Sequence, residues 1–375
     1  MTDQIPTEID SRGDFSGICA AVHSMAAMPG VQGVLLLVAH PDGLPEALDA
    51  WLPTLSVPVF GGLFPALVAD GAILERGAIA VGLPVCPRLV VVPQIDDPEH
   101  PAGALLAQVL HGDDAQPIPT TMVWIDGRAG HIDTLLDALF LEIGLQGNFL
   151  GGGTGRLDSR GPSLITPSGR LQDAAVIALL DISSGVGMAH GWQAVGNPFL
   201  VTRAQGNRIQ AIEGQPAAKV YIQALAEQGV TCSDDTFGEI ARSWPLGLGR
   251  WDDTFVVRDP VAMTPEGVLI CVGEVPEGAL LHLLHGSPES LLGSAGQARA
   301  GLLQSLSQPP DLELLFDCIS RVQVLGPAIR EELQGVRSVG CAQVGAFTLG
   351  EIANNGREFL EFHNKTLVLA GLRGS

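Results

Sequence analysis

Three stretches of this chain pass through one cycle: an apolar strand, a helix, a glycine-rich turn and a two-strand return. The first has VLLLVA from Val34, then EALDAWLPTL, Phe60-Gly61-Gly62, and AIAVGL from Ala78. The second has MVWID from Met122, HIDTLLDALFLEIG, Gly151-Gly152-Gly153, and AAVIALL from Ala174. The third has LELLFDC from Leu312, AIREELQ, a turn around Gly340 and Gly345, and TLVLAGL from Thr366. The spacing from strand start to glycine is nearly constant: Val34 to Gly61, Met122 to Gly151, Leu312 to Gly340. Such recurrence points to a scaffold copied and fused, with functional groups held on its loops. The copies share pattern rather than residues, so a similar ordering of unrelated α/β segments is the competing explanation.

At 375 residues the chain exceeds one ordinary core, and two domains are expected. Apolar residues make up 46% against 16% charged, which is ample material for a large interior. The formal charge is −21, with 18 Arg and only two Lys, Lys219 and Lys365. That balance repels phosphate backbones and anionic membranes, so neither nucleic acid nor a membrane is an expected partner. The six cysteines are scattered without a C-x-x-C pair, and neither a disulfide framework nor a zinc knuckle is indicated. The start of the chain lacks a basic n-region, and no apolar run reaches ~18 residues. A soluble, cytoplasmic protein is expected.

Residues 14–29 read as a short amphipathic helix, and the first two cycles fill roughly 31–190. Glycine density rises over 185–196. FLVTRAQGNRIQAI then reads as a hairpin turning at Gly206-Asn207, and PAAKVYIQALAEQG from Pro216 as a helix stopped by Gly229. Further strands lead to a helix opened by Ser287, and the third cycle closes the chain. The expected class is α/β, with mixed sheets of repeated strand-helix-strand units flanked by helices.

HGWQAVGNPFLVTRAQGNRIQAIEGQPAAKVY, FDCISR, GAFTLGEIANNG and FHNKT together resemble the FIST family of sensory domains, over about Val31 to Leu372. The resemblance implies an N-terminal tail over 1–30, a FIST N-terminal domain over 31–213 and a FIST C-terminal domain over 214–375. It also implies a non-catalytic small-ligand sensor of bacterial signal transduction. With no transmitter appended, such a chain signals through a separate partner such as a histidine kinase or cyclase. One branch, similar to the nitric-oxide sensor NosP, binds haem and works beside a histidine kinase, so haem is the cofactor to test.

Arg321 follows the strand ending at Cys318 by three residues, which sets it at the strand mouth. A guanidinium there can hold a carboxylate bidentately, and an internal salt bridge, for instance to Glu351, is the alternative. Glu351, in the GEI of the family pattern, can bind a ligand amine, orient Arg321 or tie a loop. These two make an amino-acid-like or anionic ligand the leading expectation, with Cys318 beside them. Asn364 resembles the family's closing N-x-T and reads as a turn residue. Gly61, Gly62, Gly152 and Gly153 allow close approach and free N–H groups for an anion, or are crowded turns between layers.

His190, in Ala-His-Gly-Trp beside Trp192, is the candidate haem ligand, though its stretch also resembles members without haem. His282 and His285 lie three apart, on opposite faces of a strand, which argues against a shared metal. No G-x-S-x-G elbow, H-E-x-x-H or EF-hand loop is present. The competing class is a hydrolase or transferase with a glycine-rich oxyanion hole, and it requires Cys318 or a serine paired with a base in the pocket.

Overall fold

The computed structural model describes residues 4–97, 102–110, 119–250, 254–354 and 359–374. The end of the GEIANNG segment lies outside them. The three cycles are three copies of one topology. The first runs β1 (Thr7–Asp10), α1 (Phe15–Ala26), β2 (Gly33–Ala39), α2 (Leu48–Trp51), β3 (Val59–Leu63), β4 (Ala66–Ala69), β5 (Ala72–Leu74) and β6 (Gly77–Leu83). The second runs β7 (Arg88–Pro93), α3 (Ala102–Leu110), β8 (Thr120–Asp126), α4 (Ile132–Ile143), β9 (Asn148–Thr154), β10 (Leu164–Thr166), β11 (Gly169–Leu171) and β12 (Ala174–Leu180).

The third copy opens with β13 (Ser183–Ala189) and is then interrupted. A smaller sheet is built from β14 (Gln193–Gln205), β15 (Arg208–Ile212), β16 (Gln215–Pro216), β17 (Leu246–Gly249), β18 (Phe255–Met263), β19 (Leu269–Val272) and β20 (Leu280–His285). It carries α5 (Ala217–Glu227) and α6 (Phe237–Ser243). The copy then resumes with α7 (Pro288–Ser305), β21 (Leu312–Cys318), α8 (Ile319–Leu325), α9 (Ile329–Gly335) and β22 (Ala342–Thr348). It ends with β23 (Glu351–Ala353), β24 (Glu361–His363) and β25 (Leu367–Arg373).

In each copy two strands run parallel (β2 and β3, β8 and β9, β21 and β22), and the last strand (β6, β12, β25) lies antiparallel on the other side. The central strands are mostly apolar because both faces are buried, with polar residues such as Glu313 and Asp317 toward their ends. On β2, Leu35 and Leu37 enter a core shared by all three sheets, while Val34, Leu36 and Val38 lie under α1 and α2. On β8, Met122 and Trp124 face that same core, and Val123 and Ile125 lie under α3 and α4. At the centre the Trp124 ring meets Phe64 and Phe316 edge-on, with centroids 5.4 and 5.1 Å away.

The glycines expected in turns are inside strands. Gly61, Gly151 and Gly345 stand opposite Leu36, Val123 and Leu315 of the parallel partner. A Cβ there would lie 2.0, 2.0 and 1.7 Å from those residues' carbonyl oxygens, so no side chain fits. Gly345, not Gly340, is therefore the third member of the series. The short hairpins are exchanged in a ring. β4–β5 joins the third copy's sheet through β22, β10–β11 the first through β3, and β23–β24 the second through β9. The sheets formed this way are β1-β6-β2-β3-β10-β11, β24-β23-β9-β8-β12-β7 and β13-β25-β21-β22-β4-β5.

Candidate functional site

Where the inserted sheet meets the three-sheet body, a cleft of about 860 Å³ opens along the outer edge of β13. One wall is α7, which presents Ser290, Gly293, Gln297 and Gln304. The other is formed by Glu361 and His363 of β24, and the roof by Arg250, Thr254 and Phe255 of the insert. Asn148 closes one end, and the turn His190–Gly191–Trp192 closes the other. Glycine makes this assembly fit: a Cβ on Gly187 would lie 2.1 Å from the Ala298 carbonyl oxygen, and one on Gly185 2.5 Å from the Ser305 hydroxyl, so α7 packs on β13 through that strand's glycines.

Arg250 and Glu361 form an ion pair at the cleft, each about one-quarter exposed. Burial raises the Glu361 pKa, with Arg250 acting against it. The two imidazoles are neutral. Burial lowers His190 to about 4, helped by the charge of Arg321. Burial and Arg258 lower His363 to about 3. His190 Nδ1 accepts the Trp192 backbone N–H at 3.0 Å, and the ring also hydrogen-bonds to the Phe255 backbone. Both ring nitrogens are engaged, so neither offers iron a lone pair. His190 thus does not fit the axial haem ligand that its sequence context suggests.

Beneath the cleft lies a fully buried charge network. The Arg321 Nε donates to Glu332 at 3.1 Å, and a second guanidinium nitrogen bonds the other carboxylate oxygen. The remaining N–H groups donate to the carbonyls of His190 (2.7 Å), Leu291 (3.0 Å) and Lys365 (3.2 Å) and to the Ser294 hydroxyl (3.3 Å). Asp317 lies 3.3 Å from the guanidinium without a hydrogen bond to it. Burial and the adjacent Glu332 push the Asp317 pKa well above the usual carboxylate range, with the Arg321 charge acting against them. Arg321 therefore has a complete set of internal partners and faces no cavity. Its carboxylate partners are Glu332 and Asp317 rather than Glu351.

Glu351 is also fully buried, accepting the Thr348 hydroxyl at 2.7 Å and the Thr366 amide at 3.3 Å. Burial pushes it up to about 8 against those bonds and one from Cys318. The Cys318 thiol is thus within reach of a carboxyl group, the pairing an enzyme would need. It is nevertheless buried outside the cleft lining, and burial holds it far above the thiolate range. Asn364 is buried in the bend before β25 and accepts the Asp259 amide at 3.3 Å. Nearby, Lys365 pairs with Asp259 at 3.1 Å and sits 5.7 Å from the Trp192 ring centre.

The glycine candidates are spent on the ladders: Gly62 pairs with Leu164, and Gly152 with Glu351. The Gly153 amide donates to the Gly350 carbonyl at 2.8 Å. His282 and His285 lie on β20, His282 edge-on to Phe255 and His285 stacked on Trp244. Of the candidates, only His190 lines the cleft. Sequence reading missed Arg250, Glu361 and Gln297, which sit far apart along the chain without a shared motif.

The FIST N domain model matches residues 32–215 and the FIST C domain model matches residues 217–354, short of the FHNKT segment. No curated protein matches the chain. Among the described residues no helix is long and apolar enough to cross a membrane.

Proposed function

The chain belongs to the FIST family of small-ligand sensory domains in signal transduction, and we propose that its ligand occupies the cleft along β13. The carrying observation is a cleft of about 860 Å³ where two sheet systems meet, a volume suited to a metabolite. Its polar groups are an ion pair, amides and hydroxyls rather than an activated nucleophile, which favours binding over turnover. The Arg250–Glu361 pair is the counterpart for an anionic or amino-acid-like ligand, a role that sequence reading gave to Arg321 and Glu351. A ligand touching α7, β24 and the insert together would bias their packing, and a separate protein, a histidine kinase or a cyclase, would read that change.

The test is a thermal-shift screen of amino acids and small carboxylates on wild type, Arg250→Ala and Gln297→Ala. At least one compound is expected to raise the wild-type Tm, with the shift lost in both variants. A screen without stabilising compounds, or a hit indifferent to both variants, would overturn the reading.

A further inference from the structure

We infer that the cleft takes a short extended peptide, whose backbone adds as a strand to the outer edge of β13. The inference rests on the sensor reading above and specifies its ligand. β13 is the last strand of its sheet, paired with β25 on one side, and no strand among the described residues covers the other. In an antiparallel pair, successive residues point their N–H and C=O groups alternately toward and away from the partner. The phase is fixed here because Asn148 Nδ2 donates to the Ser184 carbonyl from outside at 2.7 Å. On β25, the Leu372 carbonyl accepts the Asp311 amide preceding β21, in agreement. Ser184, Val186 and Met188 therefore face outward. With Ser184 taken by Asn148, the N–H and C=O groups of Val186 and Met188 remain directed into the cleft.

The other two copies supply the comparison. Their equivalent edge strands, β1 and β7, carry Glu8 and Asp10, and Arg88 and Pro93. Charges and proline are the usual devices that keep an edge from pairing. β13 reads SSGVGMA and has none of them. The inserted sheet, present in this copy alone, roofs this edge instead. The edge available for pairing is bounded by Asn148, which occupies Ser184, and by Gly191, whose positive φ of 75° turns the chain against Ser290. Two free ladder residues at ~3.4 Å per residue match a ligand of about three residues, not a strand running through. Strand addition supplies main-chain affinity, and the wall side chains supply selectivity.

The experiment uses trialanine and a random tripeptide mixture as probes, with hydrogen exchange read over residues 183–189 and affinity read by titration. Protection of β13 is expected, with binding at least tenfold weaker for trialanine methylated at its central nitrogen. Met188→Pro removes an outward N–H and the Met188 side chain packed against the shared core, but no ladder bond to β25, so it is expected to fold with a lower Tm and to lose binding at least tenfold. Gly187→Pro, whose N–H faces β25, is expected to unfold the sheet. Absence of protection with both probes, or unchanged binding by Met188→Pro, would overturn the inference. Should Met188→Pro not fold, the methylated probe decides alone. Protection that grows with protein concentration without peptide would place a second copy on the edge and also overturn it. A metabolite acting through Arg250 and Gln297 while neither probe protects β13 would sink the peptide and leave the sensor. Failure of every small molecule and both probes would sink both.

Discussion

Arg321 donates to the backbone carbonyl of His190 at 2.7 Å while holding the Glu332 carboxylate, so a buried cation fixes the turn that ends β13. Its role in the cleft is exerted from underneath. Removing it would leave Glu332 buried without a counter-charge.

Arg321→Leu is accordingly expected to cost about 3–5 kcal/mol of stability in urea unfolding. Arg321→Leu with Glu332→Leu should recover part of that loss, because the stranded carboxylate is gone. Additive losses in the double variant would contradict a direct Arg321–Glu332 coupling.

The recurring glycines give a sharper contrast. Gly151→Ala and Gly345→Ala drive a Cβ into a carbonyl of the parallel strand and are expected to yield no folded protein. Gly296→Ala, on α7 with open space around it, is expected to stabilise by about 0.5–1 kcal/mol. Soluble expression and Tm separate the two classes.

Glu351 makes stability depend on pH. Burial raises its pKa from 4.5 to about 8, so the folded state keeps a proton that the unfolded chain releases within that window. The stabilising contribution is therefore whole below pH ~4.5 and lost as pH rises toward ~8. Glu351→Gln carries no titrating proton, so its Tm relative to wild type should climb between pH 5 and 8. A constant difference across that range would show that Glu351 does not titrate there.

Haem supplies a fourth test. Because the Trp192 amide occupies His190 Nδ1, added haem is expected to give the same spectrum with wild type and His190→Ala. A Soret band that the variant weakens would mean that the turn rearranges to free the imidazole.

The sheets were legible where the physics was local. Continuous runs such as VLLLVA mark strands buried on both faces, and α1 starts at its Asp14 cap, which accepts the Gly17 amide. The glycine series was visible as a spacing, but the carbonyl that excludes a side chain lies on another strand. Arg321 was placed one element early. α8 begins at Ile319 and carries it inward, toward a Glu332 on α9 that no local pattern links to it. The cleft was illegible because Arg250 and Glu361 meet only after the insert folds back over β13. The division expected near 213 falls within the inserted sheet, between β15 and β16.

The ring of exchanged hairpins also bears on how the chain is made. β4 leaves the ribosome long before its partner β22, with the second copy and the whole inserted sheet made in between. β10 can join β3 once the second copy is made, but until the third copy follows the second sheet lacks β23 and β4–β5 has no sheet to join. Closure of the ring therefore waits for the third copy, and a nascent chain halted in the inserted sheet would still carry the open edges of β4 and β9.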